Sequence, residues 1–236
     1  MATANPIALV TGAGSGIGLA CAARLAREGF DLLLIGRRVA ALREAAAAIG
    51  GETRREVHAA DVGEPGQARG CVEAALAAFG GLDVIVNNAG SVSSTPIGSA
   101  CDEEIERLFR VNIMGPAAII DRAWPVLVGR GSGRIVNVSS YATMDPFPGL
   151  GYYAAAKAGL NVLTRACHNE GYPAGIRSFA VAPGAVETDM LRSLFPREVL
   201  PTERTLDPGT VADVVIECVR GERDAESGGT IFLPSP

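Results

Sequence analysis

The chain has 236 residues, of which 48% are apolar and 20% charged, and this composition excludes a largely disordered protein because it can bury the core of a domain. The net charge of −5 excludes the overall basic field on which non-specific nucleic-acid binding depends. No apolar run approaches the roughly 18 residues of a membrane span, and the start of the chain lacks the pattern of a secretory signal. We therefore expect a cytoplasmic protein that binds small molecules or copies of itself, and neither nucleic acid nor a membrane.

Metal and hydrolase chemistry have no support in the residue patterns. The five cysteines are scattered without a C-x-x-C pair, which argues against a disulfide framework and a zinc cluster. No H-E-x-x-H or calcium-loop pattern occurs, so we predict no metal. The chain also lacks the G-x-S-x-G motif of a serine hydrolase, and we interpret its two histidines, His58 and His168, as ordinary surface or capping residues.

Short apolar runs alternate along the chain with stretches of helical spacing. The runs predict seven buried strands, at residues 7–10, 32–35, 57–60, 84–86, 135–138, 178–181 and 230–233. The stretches between them predict helices at residues 19–27, 40–49, 67–79, 102–127, 153–169 and 210–219. Helix starts are indicated by prolines at Pro65 and Pro208 and by capping-box patterns that begin at Ser99 and Thr210.

This alternation predicts an α/β fold, because parallel neighbouring strands need crossover connections and helices supply them. We expect a single Rossmann-like, doubly wound domain over residues 1–236, with a seven-stranded parallel sheet flanked by helices. The least regular stretch follows the sixth predicted strand, where Pro196 and Pro201 interrupt any helix. Ligands of such sheets bind beyond the carboxyl ends of the strands, so we predict a substrate lid at about residues 189–206.

The first predicted strand runs directly into a glycine-rich turn that opens a helix, Thr11-Gly12-Ala13-Gly14-Ser15-Gly16-Ile17-Gly18. Glycine there permits a tight turn and a close backbone approach to a pyrophosphate, which the helix N-terminus stabilises. No Lys-Ser or Lys-Thr follows the glycines, which excludes a Walker A phosphate loop. The placement predicts nucleotide binding, with a purely structural glycine turn as the alternative.

Arg37 and Arg38 stand about 20 residues beyond the glycine turn, where a dinucleotide fold usually carries an acid that binds the adenosine ribose. Without that acid a 2′-phosphate is not repelled, and two guanidiniums can bind the phosphate through forked, charge-assisted hydrogen bonds. The pattern therefore favours NADP(H) over NAD(H). Ordinary solvated surface charges are the alternative interpretation.

The chain contains a single lysine among 21 basic residues, and this Lys157 follows Tyr153 by four positions. The spacing places both side chains on one face of a helix. A phenol with a pKa of about 10 exchanges protons poorly near neutrality unless a neighbouring cation stabilises its phenolate. We expect Lys157 to supply that cation and Tyr153 to act as a general acid and base.

Further polar residues allow two interpretations each. Ser139 and Ser140 follow a predicted buried strand, and a serine there either polarises a substrate oxygen or satisfies a local turn. Asn112 lies inside a predicted helix and is either a packed polar residue or part of a proton path.

These motifs in this order resemble the short-chain dehydrogenase/reductase family over nearly the whole chain. The resemblance is carried by the glycine turn, by Asn87-Asn88-Ala89-Gly90 and by the Tyr153 to Lys157 spacing. It implies a catalytic tetrad of Asn112, Ser140, Tyr153 and Lys157. It also implies a set of cofactor-binding residues drawn from the ends of several strands and from the catalytic pair: Gly12, Ser15, Gly16, Ile17, Gly18, Arg37, Arg38, Asp61, Val62, Asn88, Ala89, Gly90, Tyr153, Lys157, Pro183, Gly184, Val186 and Thr188.

The resemblance further implies an NADP(H)-dependent oxidoreductase that interconverts an alcohol and a ketone or aldehyde, with 3-oxoacyl compounds among the candidates. Tyr153 would exchange the proton while Ser140 polarises the oxygen. We predict an apolar substrate pocket from four residues, Phe147, Leu150, Leu194 and Phe195. The alternative function is that of a non-catalytic NADP(H)-binding regulatory or scaffold protein. In either case we expect the chain to form a homodimer or homotetramer.

Overall fold

Seven strands form one sheet, and every neighbouring pair of strands in it is parallel. The computed structural model describes residues 5–236, so residues 1–4 of the predicted domain lie outside the described range. The spatial order is β3-β2-β1-β4-β5-β6-β7. The strands are β1 (Ile7–Thr11), β2 (Asp31–Gly36), β3 (Arg55–Ala59), β4 (Val84–Asn87), β5 (Gly133–Val138), β6 (Ile176–Pro183) and β7 (Thr230–Leu233). The predicted Rossmann-like, doubly wound fold is confirmed.

Helices cover both faces of this sheet. They are α1 (Gly16–Arg27), α2 (Val39–Ala48), α3 (Pro65–Phe79), α4 (Asp102–Phe109), α5 (Gly115–Arg130), α6 (Gly151–Gly171), α7 (Asp189–Leu194) and α8 (Pro208–Arg220). In β1, Ala8 and Val10 pack with α1 and α8, while Ile7 and Leu9 pack on the opposite face with α3 and α5. Strands buried on both faces need apolar residues at every position, which is why the central strands read as continuous apolar runs.

The helix predicted at residues 102–127 is wrong as one continuous helix. It consists of α4 and α5, joined by a π-helical turn at Arg110–Met114. Pro116 has no N–H to donate to the carbonyl four residues earlier, that of Asn112, so the α-helical hydrogen-bond pattern cannot continue there. The N–H of Gly115 instead donates to the carbonyl of Arg110, five residues back.

Two of the predicted helix starts are confirmed and two are wrong. Pro65 and Pro208 stand at the first positions of α3 and α8. The capping box predicted at Thr210 is not formed, because Asp207 caps α8 by accepting a hydrogen bond of 2.7 Å from the N–H of Gly209. Ser99 does not cap α4 either, since that helix begins after Cys101.

Across residues 5–236, none of the helices combines the length and the apolar character that a membrane crossing requires.

Candidate active site

A cleft of about 520 Å³ lies at the carboxyl ends of the strands. It opens where the order of the sheet reverses, since the chain runs outward from β1 to β3 on one side and from β4 to β7 on the other. Helices leave the sheet in opposite directions at such a switch point, and the crevice between them is where doubly wound folds bind their ligands. Segments that follow β1 to β6, together with the first turns of α6, line the cleft.

The turn between β1 and α1 forms one wall of this cleft. Gly12 has φ of +67° and Gly16 has φ of +53°, a backbone conformation that strains residues with a side chain. A Cβ atom at Gly18 would overlap the carbonyl oxygen of Gly12, so only glycine lets the helix start so close to the turn. The first N–H groups of a helix lack intrahelical partners, and those of α1 begin at this wall. The turn therefore fits an anionic phosphate group.

Thr11, the last residue of β1, fixes this turn to the end of β4. Its Oγ1 accepts hydrogen bonds from the N–H groups of Asn88, at 2.9 Å, and Ala89, at 3.0 Å. The Nδ2 of Asn88 donates back to the carbonyl of Thr11 at 2.9 Å. Asn88, Ala89 and Gly90 are thereby held along the floor of the cleft, which they line.

Two arginines line the cleft at the end of β2. Arg37 and Arg38 are both exposed, and neither guanidinium lies within 4.0 Å of a carboxylate belonging to the described residues. Asp61 and Val62 follow β3 and line the neighbouring part of the cleft. The carboxylate of Asp61 accepts a hydrogen bond of 2.9 Å from the N–H of Gly63. The two guanidiniums are thus available for an anionic ligand.

Asn112 is completely buried in the π-helical turn. Its Oδ1 accepts from the N–H of Ser91 at 3.2 Å, and its Nδ2 donates to the carbonyls of Ser91 at 2.7 Å and Leu108 at 2.9 Å. A Cβ atom at Gly90 would lie 3.1 Å from that Oδ1 and 3.7 Å from the Nζ of Lys157. The Asn112 side chain therefore supports the cleft floor at residues 90–91 from behind.

Ser140 stands directly after β5 and begins a 3₁₀ turn at Tyr141–Thr143. Its Oγ accepts a hydrogen bond of 3.2 Å from the N–H of Ala142, and its carbonyl accepts one of 2.9 Å from Thr143 Oγ1. Asn161 on α6 donates to the same Thr143 oxygen at 3.2 Å. The two interpretations of this serine are thus compatible, because Ser140 satisfies a local turn and also lines the cleft.

Tyr153 and Lys157 lie one turn apart on α6, and both line the cleft. Lys157 is buried, and burial lowers the pKa of its ammonium from 10.5 to about 8. Burial raises the pKa of the Tyr153 phenol, and the nearby Ser140 hydroxyl offsets part of that rise. This differs from the expectation that Lys157 lowers the phenol pKa. At neutral pH the phenol is therefore protonated.

The end of β6 and the segment that follows it complete the cleft with Pro183, Val186 and Thr188. The Oγ1 of Thr188 accepts a hydrogen bond of 3.2 Å from the N–H of Leu191 and caps α7. Gly184 does not line the cleft, because its N–H donates to the carbonyl of Leu233 at 2.8 Å and it packs against the tail beyond β7.

The cleft is lined by every predicted site residue except Gly18, Asn112 and Gly184. Of the predicted apolar pocket, Phe147 is wrong, since it is 68% exposed and lies outside the cleft. Other lining residues lie outside the predicted sites and carry no recognisable local motif, among them Ser91, Val92, Arg107 and Val111. Three more, Asp189, Met190 and Leu191, belong to the stretch predicted as a substrate lid.

Within residues 5–236, no group of three or more His, Cys, Asp or Glu side chains is arranged to hold a metal ion.

The sequence of this chain has recognisable relatives. A family model for short chain dehydrogenases matches residues 6–199. An uncharacterized oxidoreductase of Staphylococcus aureus strain MW2 is 30% identical over 212 residues, which cover 90% of this chain and 90% of that protein.

Solved structures extend the similarity to the whole fold. A levodione reductase superposes with a TM-score of 0.91 and 27% identity, over 98% of this chain and 96% of its own. An actinorhodin polyketide ketoreductase with NADPH has a TM-score of 0.89 and 28% identity, over 98% of this chain and 96% of its own. A 3-ketoacyl-(acyl-carrier-protein) reductase of Brucella melitensis, complexed with NADH, has a TM-score of 0.89 and 29% identity, over 98% of this chain and 97% of its own. The chain therefore belongs to the short-chain dehydrogenase family of NAD(P)(H)-binding oxidoreductases.

Proposed function

We propose that the chain reduces an apolar ketone or aldehyde to an alcohol with NADPH, and catalyses the reverse reaction with NADP⁺. The observation that carries this proposal is the convergence of Ser140, Tyr153 and Lys157 on the wall of a cleft that also contains the glycine turn. A proton donor and a dinucleotide cradle are the two components that a carbonyl reductase requires.

Each of the three side chains has a distinct task in the reduction. Ser140 donates a hydrogen bond to the substrate oxygen, and Tyr153 transfers its phenolic proton to the same oxygen. The ammonium of Lys157 stabilises the phenolate that remains until solvent restores the proton. Asn112 acts less directly, since its amide holds the backbone of Ser91 beside the catalytic wall.

When bound, the nicotinamide supplies the hydride that reaches the substrate carbon. The residues that fit the cofactor are those of the glycine turn for the pyrophosphate, Asp61 and Val62 for the adenine, and residues 88–90 with Lys157 for the riboses. We infer NADP(H) rather than NAD(H), because Arg37 and Arg38 both face the cleft without a carboxylate partner among the described residues. The family alone does not decide this, since related structures contain NADPH in one case and NADH in another.

The apolar part of the cleft indicates the class of substrate. Leu150 faces it from the start of α6, and the lid contributes a further apolar wall of Met190, Leu191, Leu194 and Phe195. Such a surface favours ketones that carry a ring or an alkyl chain. The names of three structural neighbours, a levodione reductase, a polyketide ketoreductase and a 3-ketoacyl reductase, support a ketone substrate and keep 3-oxoacyl compounds among the candidates.

Association of identical chains forms part of the same proposal. Ile105, Phe109 and Met114 line an apolar groove on the surface of α4 and the π-helical turn. Burial of that groove against a second copy would favour a homodimer, or a homotetramer built from two such pairs.

The purified protein should consume NADPH when it is mixed with a panel of cyclic, alkyl and 3-oxoacyl ketones, and it should consume NADH much more slowly. The loss of cofactor absorbance measures both rates. NADPH binding without turnover of any ketone or aldehyde would support the alternative of a non-catalytic regulator or scaffold and contradict the proposed enzyme.

A further inference from the structure

The lid, residues 189–206, is closed at its base by a short parallel pairing. Val186 pairs with Leu206, the N–H of Glu187 donates to the carbonyl of Leu206 at 2.9 Å, and the N–H of Leu206 donates to the carbonyl of Ala185 at 2.8 Å. The two ends of the lid therefore meet beside Thr188, which lines the cleft. A surface loop with joined ends is compact, but its interior still needs contacts of its own to stay in place.

Arg192 supplies those contacts from within the lid. Its guanidinium forms a forked ion pair with the carboxylate of Glu187, with Nε donating to Oε1 at 2.9 Å and Nη2 donating to Oε2. Its Nη1 donates to the carbonyls of Phe195, at 3.2 Å, and Leu200, at 2.6 Å. One side chain thus connects the base of the lid, the end of α7 and the turn that ends at Leu200.

A second arginine contacts the same carboxylate but has a different environment. Arg197 approaches Glu187 at 3.4 Å, and its side chain is 71% exposed, whereas that of Arg192 is 17% exposed. Exposed single contacts contribute little, while a planar guanidinium with several fixed acceptors orders the groups around it. Arg192, rather than Arg197, therefore determines the arrangement of the lid.

The helix that carries Arg192 has six residues, none of which is buried. A helix of this length is not stable by itself in water, so its position depends on contacts with the rest of the chain. Four apolar side chains on or beside that helix face the cleft: Met190, Leu191, Leu194 and Phe195. A loss of the Arg192 hydrogen bonds would therefore displace the apolar wall as a unit.

We propose that Arg192 is a positioning residue that, through its ion pair with Glu187, fixes the apolar wall of the substrate cleft and so sets the affinity for bulky apolar ketones. This inference rests on the proposed function. Arg192 does not line the cleft and does not act on the reacting atoms. Its effect should fall on substrate binding and spare both cofactor binding and the chemical step.

Steady-state kinetics of Arg192→Ala provide the first test. For a bulky apolar ketone we expect KM to rise by about tenfold or more, with kcat changed by less than about threefold. The reason is that the apolar wall stabilises the bound substrate and the transition state equally, so its loss weakens binding without slowing the chemical step. The affinity for NADPH and the KM of a small ketone such as 2-butanone should stay unchanged. The KM of Arg192→Lys for the bulky ketone should lie between those of the wild type and Arg192→Ala, since an ammonium cannot form the forked ion pair with Glu187. Arg197→Ala, the matched control, should behave as the wild type.

Limited digestion with thermolysin provides a readout that does not depend on turnover. Thermolysin cleaves before apolar residues, and we expect cleavage within residues 189–206 to be about tenfold faster in Arg192→Ala than in the wild type or in Arg197→Ala. An unchanged KM for the bulky ketone in Arg192→Ala would overturn the inference. If the wild type reduces no ketone, the proposed function fails, and equal cleavage rates in the three proteins would then overturn the role of Arg192 in the lid.

Discussion

The ammonium of Lys157 donates a hydrogen bond of 2.7 Å to the carbonyl of Val138. Val138 is the last residue of β5, and Ser140 follows it two positions later, so this bond connects the helix that carries Tyr153 to the strand that positions Ser140. A compact ammonium on a long stem can make such a bond in a buried space where a planar guanidinium would not fit. The only lysine of the chain therefore ties α6 to β5, one helical turn from Tyr153.

The pH dependence of carbonyl reduction should report the pKa of Lys157. That pKa is lowered to about 8, while the pKa of Tyr153 is raised, so the ammonium loses its proton at a lower pH than the phenol does. We expect kcat/KM for reduction to be level between about pH 6 and 7.5 and to fall by about tenfold per pH unit above pH 8. A profile that stays level to pH 10 would show that the lysine charge is not needed.

The same titration predicts a pH-dependent stability. Between pH 8 and 10.5 Lys157 is neutral in the folded state and still charged in the unfolded one, so the unfolded state binds more protons and the free energy of unfolding rises with pH. The stability of the wild type relative to Lys157→Met should therefore increase by about 2 kcal/mol from pH 7 to pH 10. Urea unfolding of both proteins at the two pH values measures this change. A constant difference would contradict the shifted pKa.

Cofactor choice should depend on the two arginines after β2. Arg37→Asp places a carboxylate where a 2′-phosphate would bind, so we expect the ratio of kcat/KM for NADPH over NADH to fall by about a hundredfold. Arg43→Asp makes the same change of charge on α2, away from the cleft, and should leave the ratio near its wild-type value. Equal ratios in all three proteins would remove the assignment of Arg37 to the phosphate.

Gly18→Ala should destabilise the protein and weaken dinucleotide binding. Its new Cβ atom would overlap the carbonyl of Gly12, and such overpacking costs about 1–3 kcal/mol. Gly70→Ala is the matched control, because Gly70 lies inside α3 with no atom within 4 Å of the added carbon. That variant should gain up to about 1 kcal/mol from helix propensity. Thermal unfolding and NADPH titration distinguish the two. Equal stability of both variants would show that the close approach at Gly18 is not required.

The central strands and the glycine turn were predictable because each depends on the properties of a short stretch of sequence. Strands such as β1 and β5 are covered on both faces and therefore read as apolar runs, and a turn that needs positive φ at Gly12 requires glycine. The edge strand β3 was harder, since it begins with Arg55 and Glu56 and only its second half reads as a strand.

What the sequence could not supply depends on tertiary packing. The π-helical turn at Asn112 arises where a proline interrupts the hydrogen bonds of a helix whose apolar periodicity continues through it. The raised pKa of Tyr153 follows from burial, which no spacing of residues reveals. In the sequence Arg192 and Glu187 look like ordinary surface charges, and only the folded chain shows their ion pair.

The most direct measurement compares Tyr153→Phe with Tyr152→Phe. Each substitution removes one hydroxyl, and the two residues are neighbours on α6, but only Tyr153 lines the cleft. With NADPH and a ketone that the wild type reduces, we predict that Tyr153→Phe loses at least about a hundredfold in kcat, as expected for removal of a general acid, and keeps its affinity for NADPH. Tyr152→Phe should retain wild-type turnover. Substantial turnover by Tyr153→Phe would contradict the assignment of the proton donor.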